Sequence, residues 1–143
     1  MHLTKLTDYG LRTLIFLAVK QSPTSLNELA AAYGISRNHL VKAVGALRKA
    51  GFVATNRGVG GGIVLAKEAA QIRLDEVVNA LEPHMAIVEC FDNHKNTCPI
   101  KGACQLEKLL YQARKAFFKE LQKTSLAEAV LPHQQNLKKI LIV

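Results

Sequence analysis

The stretch SLNELAAAYGISRNHLVKAVGALRKAG, residues 25–51, decides the fold of this chain. Ser25 and Glu28 have the spacing of a capping box, which predicts the start of a helix. Gly34 can adopt the left-handed conformation that ends a helix, and Ser36 is placed to cap the helix that follows. Two short helices joined by such a turn are typical of a helix-turn-helix, whose second helix enters the major groove of DNA.

The polar start of the second helix favours DNA binding over an ordinary packed pair of helices, which the same pattern also allows. Leu40, Val44 and Leu47 form one apolar face and leave the other side of the helix polar. Side chains at the N-terminus of this helix can reach base edges, while the backbone amides face a phosphate. The residues predicted to contact DNA from this helix are Ser36, Arg37, Asn38, His39, Lys42 and Arg48.

Two β-prone runs, residues 52–55 and 63–65, flank a glycine-rich connection at residues 56–62. Runs of this kind predict a hairpin, and a hairpin that follows a helix-turn-helix forms a wing. Arg57 and Gly58 at its tip are predicted to contact the minor groove or a phosphate. A nucleotide-binding loop is disfavoured, because no Lys-Ser or Lys-Thr pair follows the glycines and both flanks are predicted strands.

A long amphipathic helix is predicted over residues 104–122, because its apolar residues recur every three or four positions and form one stripe. A helix of this length after a small complete domain needs a partner for its stripe. A coiled-coil-like homodimer would cover it and would supply two-fold symmetry for operator DNA. The alternative is that the stripe packs on its own chain. The stripe consists of Leu106, Leu110, Ala113, Phe117 and Leu121.

The remaining segments complete a mainly helical fold with a small β-wing. Residues 4–20 predict a first helix that ends before Pro23, and residues 73–81 predict a short helix with a core-packing role. The tail from Leu137 to Val143 is apolar enough to pack back against some other surface, which the sequence does not identify. The expected parts are a winged helix-turn-helix domain, a cysteine-rich loop, and a dimerisation helix with its tail. Their bounds are residues 1–82, 83–104 and 105–143.

The distribution of charge predicts a polyanionic partner such as double-stranded DNA. Residues 1–72 contain nine Lys and Arg against three Asp and Glu, whereas residues 73–143 contain ten against eight. Neutralised phosphates release condensed counterions, which favours binding; a solvated basic surface is the alternative. No apolar run reaches the roughly 20 residues that span a bilayer, and the start lacks a secretory signal. A cytoplasmic protein without membrane contact is therefore expected.

All three cysteines of the chain lie in one short loop, as Cys90-x7-Cys98-x5-Cys104. In a reducing compartment, clustered cysteines more often bind metal or carry out redox chemistry than form structural disulfides. Their spacing matches neither the zinc fingers nor the bacterial ferredoxins. Three thiolates can hold three corners of an iron–sulfur cluster, so that the fourth ligand must come from elsewhere. Copper(I) and zinc remain alternatives, because they also prefer soft ligands.

Four stretches of the chain together resemble the Rrf2 family of bacterial winged-helix regulators. They are LTKLTDYGLR at residues 3–12, SRNHLVK at residues 36–42, the glycine-rich wing at residues 57–62, and the three-cysteine loop. The similarity covers nearly the whole chain, and it implies a winged-helix transcriptional regulator that binds DNA.

Within the family, the resemblance is greatest to the NsrR-type repressors, which sense nitric oxide. It rests on residues 38–39, residues 81–83 and the spacing of the three cysteines. The iron–sulfur-biogenesis regulators of the family instead have a histidine ligand three residues after the last cysteine, where this chain has Glu107. That difference disfavours a biogenesis role.

The resemblance implies a homodimer in which Cys90, Cys98 and Cys104 of each subunit hold an iron–sulfur cluster, with 4Fe–4S favoured over 2Fe–2S. The fourth ligand is implied to be Asp8 of the partner subunit, since a carboxylate is a weak and displaceable ligand for iron. From the residues alone, Asp8 is a first-turn carboxylate that the helix dipole favours. The other candidates for the fourth position are Glu107, His84, His94 and water.

The predicted function is a transcriptional repressor that binds operator DNA as a homodimer and releases it when nitric oxide attacks the cluster. A regulator of iron–sulfur assembly or redox stress is the alternative within the same fold. An iron–sulfur electron-transfer or metal-binding protein is the alternative from a different class. An enzyme is not expected, because the chain has no Ser-His-Asp set, no paired carboxylates in a predicted pocket and no nucleotide motif.

Overall fold

A computed structural model of the chain describes residues 2–82 and 85–142. The expected fold class is confirmed, since helices dominate and the two strands form a small antiparallel sheet. Within the described residues, no helix is both long and apolar enough to cross a membrane. The elements are α1 Lys5–Lys20, α2 Leu26–Tyr33, α3 Arg37–Lys49, β1 Val53–Asn56, β2 Gly62–Leu65, α4 Leu74–Leu81, α5 Gln105–Gln122, α6 Leu126–Val130 and α7 Gln134–Leu141.

The helix-turn-helix forms at α2 and α3, as predicted. The Ser25 hydroxyl accepts from the Glu28 amide at 3.2 Å, and the Glu28 carboxylate accepts from the Ser25 amide at 2.7 Å, which completes the capping box. Gly34 takes the left-handed conformation with φ 63°. Ser36 is the N-cap residue of α3, as predicted, but its side chain makes no capping bond, because its hydroxyl pairs with the ring nitrogen Nδ1 of His39 at 2.8 Å.

Helix α1 forms the centre of the core, where it packs against α3, α4, α6 and α7. The predicted helix over residues 4–20 is confirmed, with Thr4 as its N-cap. It ends at Gln21, which adopts a left-handed conformation with φ 56°, so that the break precedes Pro23. The side chains buried around α1 include Leu14, Leu17, Leu29, Leu40, Leu47, Phe52, Ile72, Val77 and Leu81.

The wing is the predicted hairpin, in which β1 and β2 pair antiparallel with Val53 opposite Leu65 and Asn56 opposite Gly62. Thr24 extends this pairing, because its backbone exchanges two hydrogen bonds with Ile63 at 3.0 and 2.8 Å. The segment between α1 and α2 is thereby fixed to the base of the wing, so that the helix-turn-helix and the wing form one unit.

The C-terminal residues pack back onto the winged-helix core. Leu126, Val130 and Leu141 are buried in the same core cluster as the side chains of α1. The Leu126 amide donates to the Ile72 carbonyl at 2.8 Å, which holds α6 beside the start of α4. The packing expected for the apolar tail is confirmed as far as the described residues reach, although the helix α7 within it was not predicted. The core thus crosses the boundary expected at residue 105.

Helix α5 has the predicted length, but none of its 18 residues is buried in the single chain. It packs against α4 along one side, where Leu110, Phe117 and Leu121 are half-buried. Leu106 and Leu109 remain 60% and 53% exposed. The predicted stripe is therefore divided. Its inner part packs on the chain's own α4, whereas Leu106 and Ala113 stay exposed. With Leu109 and Ala116, which the prediction did not include, they form an exposed outer row: Leu106, Leu109, Ala113 and Ala116.

Gly10→Ala should destabilise the fold by about 1–3 kcal/mol, as overpacking of a core does. A Cβ at Gly10 would lie 2.6 Å from Leu81 Cδ1, and Leu81 is buried where α4 crosses α1. Gly45→Ala is the matched control, since Gly45 lies in α3 with nothing within 4 Å of its Cβ position. There the helix propensity of Ala should stabilise by about 0.5–1 kcal/mol. Urea unfolding measures the change in unfolding free energy of both variants. If Gly10→Ala is stabilised as much as Gly45→Ala, the close packing of α1 on Leu81 does not require a glycine at position 10.

Candidate metal centre and nucleic-acid interface

The recognition helix α3 has one buried face and one polar, solvent-exposed face. Leu40, Ala43, Val44 and Leu47 are buried against the core. Val41 is 50% exposed among the polar residues; sequence reasoning missed it, although its position between His39 and Lys42 could have indicated it. All six residues predicted to contact DNA are exposed on this helix: Ser36, Arg37, Asn38, His39, Lys42 and Arg48.

The recognition helix contacts the first turns of α1 through an aromatic pair. The Tyr9 and His39 ring centroids lie 5.7 Å apart at an interplanar angle of 49°. His39 is held on its other side by the Ser36 hydroxyl. Tyr9 directly follows Asp8 in α1, so that Asp8 lies one residue from a side chain that contacts this helix.

The wing tip requires glycine. Gly58 and Gly60 have φ values of 102° and 77°, and the Gly61 amide donates to the Gly58 carbonyl at 3.0 Å. A Cβ at Gly61 would lie 2.3 Å from the Asn56 carbonyl oxygen. The tight turn leaves Arg57 and Gly58 exposed at the tip, where a backbone phosphate can approach without meeting a side chain from the glycines.

The cysteine loop brings its three thiols close enough to influence one another electrostatically. Cys90 lies in a single turn of 3-10 helix, Cys98 lies in the loop and Cys104 is the residue before α5. All three are free and half-buried. Burial raises the pKa of Cys90, and the charges of Glu107, Cys98 and Cys104 raise it further. A metal must therefore displace a firmly bound proton from Cys90.

Hydrogen bonds from side chains brace this loop. Glu89 Oε1 accepts from the Thr97 amide at 2.6 Å and from the Thr97 hydroxyl at 2.7 Å, and these bonds lower the pKa of the Glu89 carboxyl. Asn96 Oδ1 accepts from the Cys98 amide at 3.3 Å. Two further bonds follow in the loop, from Lys101 Nζ to Asn93 Oδ1 at 2.7 Å and from the Gly102 amide to Glu107 Oε2 at 3.0 Å.

Arg114 attaches the cysteine loop to α5. Its guanidinium lies 5.1 Å from the Phe91 ring centroid and 5.4 Å from that of Tyr111, and Nη1 donates to the Met85 carbonyl at 3.3 Å. Contacts between a cation and two aromatic rings contribute roughly 0.5–1 kcal/mol each when exposed. An open cavity of about 640 Å³ lies here, with Cys90 and Glu107 in its lining.

The three thiols are soft donors, which iron–sulfur clusters and soft metal ions prefer. Within residues 2–82 and 85–142, no three Cys, His, Asp or Glu side chains converge on one ion. Zinc needs such convergence, since its ligands lie about 2.0–2.3 Å from one centre. In a cluster each thiolate binds a different iron, so that neighbouring thiols need only surround a larger body. Cys90 lines the open cavity, whereas Cys98 and Cys104 are half-buried thiols of the same loop outside its lining.

The candidates for the fourth ligand are placed differently. Glu107 lies beside the thiols, as its effect on Cys90 shows. Asp8 is held on α1 by a bidentate pair with Arg12, at 3.0 and 2.9 Å. His94 is exposed, and its backbone amide donates to Asp92. His84 lies outside the described residues. The single chain thus brings Glu107 to the cysteines and leaves Asp8 on the DNA-binding half.

The chain is similar to known transcriptional regulators. The Rrf2 family model, described as an iron-dependent transcriptional regulator, matches residues 3–131. The solved structure of CymR (YrzC), the global cysteine regulator of B. subtilis, is 27% identical, with a TM-score of 0.71 over 90% of this chain and 95% of that one. A transcriptional regulator from Listeria innocua is 29% identical, with a TM-score of 0.74 over 91% and 86%.

A third structure extends the likeness of fold. IscR from T. potens is 22% identical, with a TM-score of 0.74 over 95% of this chain and 90% of that chain. At this identity the similarity concerns the fold alone. The winged-helix architecture expected from the sequence is thus shared with several solved regulators.

Proposed function

Because this chain belongs to the Rrf2 family of transcriptional regulators, we propose that it is an operator-binding repressor that senses nitric oxide through an iron–sulfur cluster. One observation carries the proposal. Cys90, Cys98 and Cys104 are neighbouring, half-buried thiols on a loop that α5 holds through Arg114. A ligand on that loop therefore lies next to the helix expected to join two subunits.

DNA recognition is assigned to α3 and the wing. Arg37, Asn38 and His39 at the start of α3 can reach base edges in the major groove, and Val41 can contact a thymine methyl group on the same exposed face. Contacts to phosphate and the minor groove are assigned to the remaining predicted residues. These are Ser36, Lys42 and Arg48 on α3, and Arg57 and Gly58 on the wing.

Dimerisation is assigned to the outer row of α5. Leu106 and Leu109 followed by Ala113 and Ala116 repeat with steps of three, four and three residues, which is the spacing of a coiled-coil seam. Small alanines let two helices approach closely. Two copies related by a two-fold axis would present their recognition helices to two half-sites of a palindrome.

The cluster would be held by Cys90, Cys98 and Cys104, with Asp8 of the partner subunit as the fourth ligand and Glu107 as the alternative within the chain. When bound, it supplies irons that react with nitric oxide. The chain's own residues supply the connection to DNA. To serve as that ligand, Asp8 would have to give up its pair with Arg12, and the adjoining Tyr9 ring packs on His39 of the recognition helix.

A second contact joins the C-terminal end of α4 to α1. The Thr4 amide, at the N-cap of α1, donates to Glu82 Oε1 at 2.5 Å. Burial raises the pKa of the Glu82 carboxyl, but hydrogen bonds from Thr7 and Thr4 outweigh this effect and lower the pKa overall. The carboxylate therefore stays charged at neutral pH. Asp8 lies in the first turn of α1 and Glu82 contacts the N-cap of the same helix.

Nitric oxide should remove the visible absorbance of the reconstituted dimer and release its operator at the same concentration. An allosteric coupling of about 1–3 kcal/mol corresponds to a loss of roughly five- to 150-fold in affinity. The measurement is anaerobic fluorescence anisotropy on palindromic DNA at fixed salt, with absorbance recorded on the same samples. If the cluster-loaded dimer binds DNA no better than apo-protein, the sensor proposal is wrong.

Arg37→Ala provides the control that separates DNA reading from sensing. It should weaken operator binding by about 1–3 kcal/mol while the absorbance and its response to nitric oxide stay unchanged. A dimer that ignores nitric oxide but releases DNA on iron starvation or oxidant would instead support a regulator of cluster assembly or redox stress. A protein without preference for any DNA sequence would support an electron-transfer or storage role.

A further inference from the structure

Two residues that stand directly before cysteines are joined to each other. Glu89 precedes Cys90, and Thr97 precedes Cys98. One carboxylate oxygen, Glu89 Oε1, accepts both the Thr97 amide at 2.6 Å and the Thr97 hydroxyl at 2.7 Å. We propose that Glu89 and Thr97 are positioning residues that set the separation of Cys90 and Cys98 for the cluster. This inference rests on the proposed cluster binding.

The geometry of the pair supports this role. The two hydrogen bonds fix both the backbone and the side chain of Thr97 relative to Glu89, so that Thr97 cannot rotate without losing one of them. Bonds to an ionised carboxylate are roughly twice as strong as neutral ones. Cys90 and Cys98 each adjoin one residue of this Glu89–Thr97 brace. The brace therefore shortens the flexible path between two ligands from the whole loop to a few rotatable bonds.

Without this brace, cluster binding would have to offset the whole entropic cost of ordering the loop. Each backbone residue that is fixed costs roughly 1–2 kcal/mol of conformational entropy, and seven residues separate Cys90 from Cys98. A preorganised loop has lost part of that entropy before the ligand arrives. The second bond that acts on Cys98, from its own amide to Asn96 Oδ1, is longer at 3.3 Å and does not reach Cys90.

Another brace in the same loop serves as the comparison. Lys101 Nζ donates to Asn93 Oδ1 at 2.7 Å, which is as short as the Glu89–Thr97 bonds. Neither Asn93 nor Lys101 adjoins a cysteine. If general stiffness of the loop is what matters, loss of this brace should have the same effect as loss of the other.

Thr97→Val should accelerate loss of the cluster. The variant removes the hydroxyl while it keeps the amide and the side-chain shape. Anaerobic apo-protein is reconstituted with ferrous iron and sulfide, and the visible absorbance and circular dichroism are followed after addition of an iron chelator. Outer partners of metal ligands usually change affinity by about 10–100-fold, and we expect a loss rate raised within that range. Thr97→Ser should restore the wild-type rate, and Glu89→Gln should give an intermediate one.

The outcomes distinguish this inference from the function on which it rests. Wild-type protein that takes up no iron and sulfide overturns both. A wild-type protein that holds the cluster, together with Thr97→Val that loses it no faster, overturns the positioning role alone. The positioning role is also wrong if Thr97→Ser does not restore the wild-type rate of cluster loss, or if Asn93→Ala accelerates cluster loss as much as Thr97→Val does. Thermal unfolding of the apo-proteins should be unchanged, because Thr97 is exposed and outside the core.

Discussion

Cys98→Ser should abolish retention of the cluster and leave operator affinity at the level of apo-protein. A serine hydroxyl is a poor replacement for thiolate at iron, because iron–sulfur clusters depend on soft sulfur ligands. The coupling between cluster and DNA would be lost with it, so that affinity should fall roughly five- to 150-fold below that of the loaded wild type. Iron and sulfide analysis of the reconstituted protein measures the first effect, and anaerobic anisotropy on the operator measures the second.

Lys95→Ala is the matched control for this experiment, because Lys95 lies exposed in the same loop. It should keep both the cluster and the response to nitric oxide. Cys98 is half-buried and lies outside the core cluster, so that the serine variant should unfold at the same urea concentration as wild type. Retention of a full cluster by Cys98→Ser would remove Cys98 from the ligand set.

Leu109→Glu should convert the dimer into a monomer and weaken operator binding by roughly 10²–10⁴-fold, which is the avidity that two linked modules supply. Leu109 is 53% exposed in the single chain and lies in the outer row of α5. A carboxylate there would be buried against its own copy in the dimer, where an unpaired charge is strongly disfavoured. Light scattering at micromolar concentration gives the oligomeric state.

Leu131→Glu tests whether any new surface charge has this effect. Leu131 is 70% exposed and lies beyond α5, after α6. This variant should remain dimeric and should bind the operator as wild type does. A Leu109→Glu protein that stays dimeric would show that subunits meet through another surface, and the proposed seam would then be wrong.

The helix-turn-helix was predictable because local chemistry specifies it. The capping box of Ser25 and Glu28 and the left-handed Gly34 act within a few residues of one another, so they can be read from a short stretch. The wing was predictable for the same reason, as its glycines occupy conformations that other residues rarely adopt. Ser36 was the exception. Its hydroxyl had two possible partners, and a neighbouring ring nitrogen prevailed over the backbone amide.

The cysteine spacing predicted a soft-metal site, but it did not predict how the loop is held. The Glu89–Thr97 brace joins residues that are eight positions apart and form no regular element. The contact of Arg114 with Phe91 depends on where α5 lies relative to the loop. Neither pairing follows from periodicity or propensity, since both depend on the path that the chain takes between the cysteines.

From the sequence alone one could predict helices α1 to α5, the wing, the exposed polar face of α3 and the gathering of all thiols into one loop. These features depend on interactions between near neighbours along the chain. The tertiary structure was needed to show that α6 and α7 return to the core around α1, and that α5 packs one face on α4 and leaves Leu106 and Leu109 uncovered. Each of these features depends on which surfaces pack together when the core forms, and that packing involves residues from the whole chain.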